Sequence, residues 1–122
     1  MMADVALALE ILLVAPIRIN NLAGIRLEKN LIRQRDGFML VFKENEVKNK
    51  ERLSFKLPKE TCDVIEWYLK AIRPERIRGE TDALFIGEDG IRLKAKNTLA
   101  VQISKKVKER AGLEFNVHLI RH

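Results

Sequence analysis

The segment from residue 12 to residue 22 reads Leu-Leu-Val-Ala-Pro-Ile-Arg-Ile-Asn-Asn-Leu. It closes an apolar helix predicted over residues 4–15, which is hydrophobic on nearly every side, as central helices are. Pro16 disfavours helical geometry at the preceding residue and therefore ends that helix. A short second helix is expected to begin just after the proline and to stop near Gly24.

Arg18 is the one charge in this apolar to neutral stretch. A guanidinium held against a core needs a compensating anion, either a carboxylate or the phosphate of a ligand. Its predicted place at a helix N-terminus adds free N–H groups and a dipole that favour phosphate. The alternative interpretation is that Arg18 pairs with Glu10 or extends its charged end to the surface.

The segment that follows has the pattern of strands. Residues 30–34 and 38–42 flank residues 35–37, whose Asp-Gly pair is a hairpin signal. A charged turn over residues 43–52 leads to a third strand over residues 53–57, where apolar and polar side chains alternate. The three strands are predicted to form an antiparallel meander.

The second half of the chain is mainly helical. A helix is predicted from Lys59 and must end by Pro74, and a second helix covers residues 96–110. Residues 83–86 form a brief predicted strand, and residues 117–122 belong to a further helix. The fold class is therefore α+β, a mainly helical domain with a small three-stranded antiparallel sheet.

Length and composition limit the classes of protein. The chain has 122 residues, enough for one domain, and 47% of them are hydrophobic, too many for a disordered chain. The net charge of +6 suits a polyanion such as nucleic acid or an acidic membrane face, or simply a basic surface. The single cysteine, Cys62, excludes an intramolecular disulfide and indicates a reducing cytoplasm. Asp4 and Glu10 interrupt the apolar opening, which is too short to span a bilayer.

Two further clusters carry candidate chemistry. His118 and Arg121 are three residues apart, so on a helix they share one face and can contact one ligand. Lys48 and Lys50 lie in the charged turn, where lysines are usually solvated and can alternatively follow a phosphate backbone. His118 and His122 without a nearby acid make an incomplete metal site.

The order of these features resembles the catalytic domain of the tyrosine recombinases, the phage integrase family, over essentially the whole chain. Residues 15–22 resemble that family's Thr-Gly-Leu-Arg-Ile-Ser-Glu-Leu segment, with Arg18 at its arginine and Asn21 replacing its acidic residue. Residues 118–122 resemble its His-x-Leu-Arg-His. Further matches are Leu84-Phe85 and Ala111-Gly112-Leu113.

The resemblance also assigns the lysine of the family's β-hairpin, which precedes a strand ending in Val-Pro-Leu. Registering that leucine on Leu57 places the lysine at Lys48, and Lys50 remains the alternative. By the same resemblance, residues 1–122 are one partial catalytic domain, without the N-terminal core-binding domain and the C-terminal segment that carries the tyrosine nucleophile.

The implied activity is DNA integration or site-specific recombination by attack of a tyrosine on a DNA phosphodiester. Arg18 and Arg121 would bind nonbridging oxygens, Lys48 would protonate the leaving 5′-oxygen, and His118 would bind the phosphate or assist proton transfer. No metal or nucleotide cofactor is implied. The partners implied are double-stranded DNA and further copies of the chain on that DNA, with no membrane and no small-molecule substrate.

Two alternatives stay open at this point. A non-enzymatic DNA-binding or regulatory relic of the same fold would use the arginines only to hold phosphate, and a basic protein-interaction domain would keep them far apart. Tyr68 is the only tyrosine and is interpreted as a packing residue in the middle helix. These 122 residues alone are therefore expected to bind duplex DNA weakly and not to cleave it.

Overall fold

The protein is described here by a computed structural model, in which residues 2–43 and 52–111 are placed. The helices are α1 (Met2–Val14), α2 (Ile19–Ala23), α3 (Lys59–Trp67), a π-helical turn (Tyr68–Ile72), α4 (Arg73–Arg76) and α5 (Lys96–Ala111). The strands are β1 (Leu31–Gln34), β2 (Gly37–Phe42) and β3 (Leu53–Lys56). The predicted α+β class is confirmed.

Helix α1 forms the centre of the core, as its apolar sequence predicts. Leu7, Ala8 and Ile11 are completely buried, and α1 contacts α3, the π turn and α5. Full burial of a leucine or isoleucine side chain contributes about 1.5–3 kcal/mol. Helix α1 is therefore the element against which α3, the π turn and α5 pack.

The three strands form one antiparallel sheet in the order β1-β2-β3, so the predicted meander is confirmed. Gln34 pairs with Gly37, which makes Arg35 and Asp36 the two residues of the turn and places the glycine in the strand. Gly37 has a φ of 151°, and a Cβ there would lie 2.9 Å from Sγ of Cys62. Both the backbone conformation and the close approach of α3 require glycine.

The helix after β3 continues beyond Pro74, so its predicted end was wrong. The chain passes from α3 through the π turn into α4, whose first turn contains Pro74. A proline is tolerated there because the first N–H groups of a helical segment need no partner within that segment. The helix therefore extends to Arg76, which brings that side chain to the core.

The strand predicted over residues 83–86 was also wrong, because the segment makes only isolated bridges. Ala83 pairs with Arg26, and Ile86 pairs with Leu93. Leu84 and Phe85 between them are completely buried, so their apolar character reflects a buried loop. The loop is fixed by hydrogen bonds instead of a ladder, including one from Nε of Arg73 to the Ala83 carbonyl at 3.0 Å.

Candidate functional site

Arg18 lies between the two helices that the sequence predicts around it. Its backbone is extended, with φ −84° and ψ 158°, and it is the N-cap residue of α2. Its carbonyl accepts the Leu22 N–H at 2.9 Å. The predicted position at the start of a helix is thus confirmed, although a helix of only five residues has little dipole to offer an anion.

For the Arg18 side chain, the alternative in which its charged end extends to the surface is confirmed. The side chain is exposed instead of embedded in the core, and Glu10 accepts a hydrogen bond from Thr61 at 2.9 Å instead of pairing with Arg18. Within residues 2–43 and 52–111, the guanidinium has no hydrogen bond or ion pair. None of its five N–H donors is therefore occupied by a partner from this part of the chain.

The backbone around Arg18 is held firmly even though its side chain is exposed. Ala15 and Ile17 are 1% and 2% exposed, and Leu22 is completely buried. The Ile17 N–H donates to the Ala15 carbonyl at 2.8 Å. The buried apolar neighbours hold the main chain at Arg18 in place. Only the side chain must therefore be ordered when an anion binds, which lowers the entropic cost of binding.

Asn21 is buried one turn after Arg18, at 8% exposure. The tyrosine recombinase pattern has an acidic residue at this place, and an amide cannot supply its negative charge. Position 21 therefore offers Arg18 no carboxylate.

The remaining candidate residues lie outside the described part of the chain. These are Lys48 with its alternative Lys50, His118, Arg121 and His122. The convergence of Arg18 with Arg121 on one anion therefore stays a prediction. The last described helix before His118 and Arg121 in the sequence is α5. It contacts both α1 and α2, the two helices that flank Arg18.

Tyr68 is completely buried, and its hydroxyl donates a hydrogen bond to Oδ1 of Asp4 at 2.7 Å. Burial raises the pKa of the Tyr68 phenol, and the hydrogen bond and negative charge of Asp4 raise it further. A phenol with a high pKa and no access to solvent is not a nucleophile for a DNA phosphate. The interpretation of Tyr68 as a packing residue is confirmed.

Sequence reasoning missed the partner of that tyrosine. Asp4 is completely buried at the start of α1, where it also accepts from Nη1 of Arg76 and from Nζ of Lys94, each at 2.5 Å. Burial alone raises the pKa of the Asp4 carboxyl, but the hydrogen bonds of Lys94 and Tyr68 and the two positive charges lower it below its usual range. The signal was present, because a carboxylate in an apolar helix needs buried cations as much as a lone arginine needs an anion.

Several surface cations are already engaged in exposed ion pairs. Arg33 makes a two-pronged contact with Glu66 at 2.9 Å and lies over the ring of Phe38, and Lys56 pairs with Asp36 at 3.0 Å. Exposed pairs of this kind contribute about 0–1 kcal/mol. Further lysines are exposed on the surface: Lys59, Lys70, Lys105 and Lys108.

The described residues offer neither a metal site nor a membrane span. Among the side chains of residues 2–43 and 52–111, no three His, Cys, Asp or Glu residues lie together in a group that could hold a metal ion. None of the helices in this part of the chain combines the length and the apolar character that crossing a membrane requires.

A helical domain with a three-stranded meander and an exposed arginine after its central helix matches the arrangement that the sequence predicted. The model of the phage integrase family matches residues 2–122 of the chain, and the protein belongs to this family. Comparison with curated proteins and with solved structures gave no match. Membership associates the chain with site-specific DNA recombination in general and with DNA as the partner.

Proposed function

We propose that the chain is the partial catalytic domain of a tyrosine recombinase, which binds duplex DNA and holds the scissile phosphate between Arg18 and Arg121. The observation that carries the proposal is the exposed Arg18 guanidinium, which has no partner in residues 2–43 and 52–111 and rises from a buried backbone. A forked guanidinium suits two phosphate oxygens at once, and its charge is permanent.

The chemistry follows from the charge that builds on a phosphoryl group during transfer. Fixed cations are worth most at that stage, so Arg18 and Arg121 would stabilise the nonbridging oxygens. Lys48 would give its proton to the departing 5′-oxygen, as a general acid beside a phosphate. His118 would donate a hydrogen bond to the phosphate or pass on the proton of the attacking hydroxyl.

Binding without cleavage is the activity proposed for these 122 residues by themselves. Tyr68 is the only tyrosine in the sequence, and its hydroxyl is buried and bonded to Asp4. A nicked duplex that traps covalent intermediates should therefore yield no 3′-phosphotyrosyl adduct. An adduct that persists in Tyr68→Phe would show another nucleophile and contradict this part of the proposal.

DNA binding itself is tested by fluorescence anisotropy with a short labelled duplex at low salt. Dissociation constants of about 10⁻⁴–10⁻⁶ M are typical of contacts to the DNA backbone alone. The variants are Arg18→Ala, Arg121→Ala and the double variant. Arg78→Ala is the matched control, because Arg78 is an exposed arginine in the loop after α4.

Two arginines that hold one phosphate should not act independently. Each single variant should weaken binding more than Arg78→Ala does, and the double variant should lose less affinity than the product of the two single losses. Independent effects, or effects no larger than that of Arg78→Ala, would contradict the proposal and favour a basic protein-interaction domain.

Two finer points belong to the same proposal. Several copies are expected to assemble on one DNA, and analytical ultracentrifugation with and without duplex tests this. A cytoplasmic location is proposed because Cys62, the single cysteine of the sequence, is unpaired and buried.

A further inference from the structure

Met39 lies on the face of the sheet that points away from the hydrophobic core. It follows Phe38 and precedes Leu40 in β2, and these two neighbours are 3% and 0% exposed. Because side chains alternate along a strand, Met39 points to the opposite side of the sheet. Its side chain is half-buried there, between Ile32 of β1 and Lys56 of β3. The middle strand therefore presents a thioether to solvent.

Two side-chain donors contact the sulfur of Met39. Oγ of Ser54 lies 3.4 Å from Sδ, and Nε2 of Gln34 lies 3.9 Å from it. Ser54 belongs to β3 and Gln34 to β1, so the donors come from the strands on both sides of β2. A thioether sulfur is only a weak acceptor, and these two donors gain little from it. An oxygen at the sulfur would be a much better partner for both.

Oxidation of the thioether places an oxygen at this position. A sulfur lone pair attacks one oxygen of hydrogen peroxide, the S–O bond forms and the O–O bond breaks. The departing oxygen leaves as water, so the sulfur is oxidised by two electrons and the peroxide is reduced by two. The product, methionine sulfoxide, is polar, and enzymes that specialise in this group reduce it again. In that reversal two thiols become a disulfide and the oxygen leaves as water.

We propose that Met39 is a site of reversible oxidation, at which the sulfoxide oxygen accepts hydrogen bonds from Ser54 and Gln34 and joins β1 to β3 across β2. The oxidant is a peroxide and the reductant is a dithiol. The inference does not depend on the proposed function, since it concerns the stability of the sheet under oxidising conditions.

The surroundings of Met39 reverse the usual effect of methionine oxidation. A sulfoxide disrupts a protein when it forms within an apolar core. Met39 is on the outer face of the sheet, where two donors are already directed at its sulfur. A hydrogen bond that forms in the folded state lowers the unfolding equilibrium constant by about two- to tenfold. Oxidation at Met39 should therefore stabilise the domain.

The geometry also predicts the stereochemistry of the product. A sulfoxide is chiral at sulfur, and a separate reductase acts on each of its two epimers. Each epimer carries the oxygen in place of a different lone pair of the sulfur. Only the lone pair directed at Ser54 and Gln34 gives an oxygen that both donors reach. The folded protein should therefore form one epimer at Met39 in clear excess.

Peptide mass spectrometry after treatment with hydrogen peroxide measures this excess. Trypsin separates Met39, in the peptide of residues 36–43, from Met2, in the peptide of residues 1–18. The two epimer-specific reductases then report the ratio of epimers at Met39. The folded protein should give a ratio of about threefold or more, and the chain oxidised in urea should give about equal amounts, because no donor is then fixed beside the sulfur. Met2, which is 56% exposed on α1, is the internal reference and should show no excess in either state.

Four variants connect the result to the two donors. Ser54→Ala combined with Gln34→Glu removes both donors and keeps the size of the longer side chain, so the epimer excess and the gain in stability should both disappear. Ile32→Val is the matched control, because it changes a neighbour on the same face and leaves the donors in place. Met39→Leu removes the sulfur and reports effects of peroxide at other residues. Ser54→Ala alone replaces the combined variant if circular dichroism shows that the latter does not fold.

Urea unfolding before and after oxidation completes the test. In the wild type the unfolding constant should fall at least about twofold on oxidation, the lower range for one hydrogen bond. Ile32→Val should keep this gain, and Met39→Leu should not show it. Equal epimers in the folded protein, a loss of stability on oxidation, or an equal gain in Met39→Leu would each overturn the inference. An epimer excess that survives the removal of both donors would overturn it as well.

Discussion

Replacing Asp4 by asparagine should destabilise the domain more than any other single isosteric change in α1. The carboxylate is completely buried and accepts three hydrogen bonds, two of them from cations. Removing one partner of a buried ion pair costs about 3–5 kcal/mol, because the other charge stays buried without compensation. The Arg76 side chain is 26% exposed and can turn to water, so the lower end, about 3 kcal/mol, is expected.

A loss of that size is large for a small domain, whose total free energy of unfolding is about 5–15 kcal/mol. With about 4 °C per kcal/mol for a chain of this length, Tm should fall by about 12 °C. Thermal melting followed by circular dichroism at pH 7 measures it, with urea unfolding as a second determination. A loss below about 1 kcal/mol would refute the reasoning, because an exposed ion pair contributes no more than that.

The same variant predicts a pH dependence with a defined sign. The pKa of Asp4 is lower in the folded protein than in the unfolded chain, so ionised Asp4 stabilises the fold above its ordinary pKa of about 4. That contribution is lost as the pH falls through the lower, folded-state pKa. The stability difference between wild type and Asp4→Asn should therefore be constant near neutral pH and shrink in acid. A difference that grows in acid would contradict this assignment.

Three further changes test the packing and the site. Gly37→Ala should cost about 1–3 kcal/mol in urea unfolding, because it combines a glycine-only backbone conformation with a Cβ placed 2.9 Å from Sγ of Cys62; a neutral result would contradict that geometry. Ile11→Ala should cost about 2–5 kcal/mol, since Ile11 is completely buried in the core, and a loss typical of surface positions would argue against a central α1. Arg18→Ala should change stability by no more than about 0.5 kcal/mol while weakening duplex binding, because the side chain is exposed; a large fall in Tm would instead assign Arg18 a structural role.

The elements that sequence reasoning identified are those with strong local signals. Helix α1 is almost uniformly apolar and closed by Pro16, the Asp36-Gly37 pair marks the β1–β2 hairpin, and α5 repeats apolar residues at helical spacing. Each of these signals depends only on residues close together in the sequence, so it predicts local structure without knowledge of the tertiary contacts. The Leu84-Phe85 segment shows the limit, because apolar residues that fill a buried loop look like a strand.

The features that were missed depend on contacts between distant parts of the chain. The helix continues past Pro74 after a π turn, and Tyr68 and Arg76 both donate to the Asp4 carboxylate. No local pattern in the sequence predicts that these two residues share a partner. Asp4 and Lys94 are 90 positions apart. For Arg18, the local sequence predicted the backbone position, but tertiary packing decided that its side chain faces solvent.

The central claim is that Arg18 and Arg121 bind one phosphate, and a crystal structure of the chain with a short DNA duplex tests it most directly. The prediction is that both guanidinium groups donate to oxygens of the same phosphate, at about 2.7–2.9 Å for hydrogen bonds between charged groups. Guanidinium groups on different sides of the domain, with DNA at neither or at only one of them, would contradict the account.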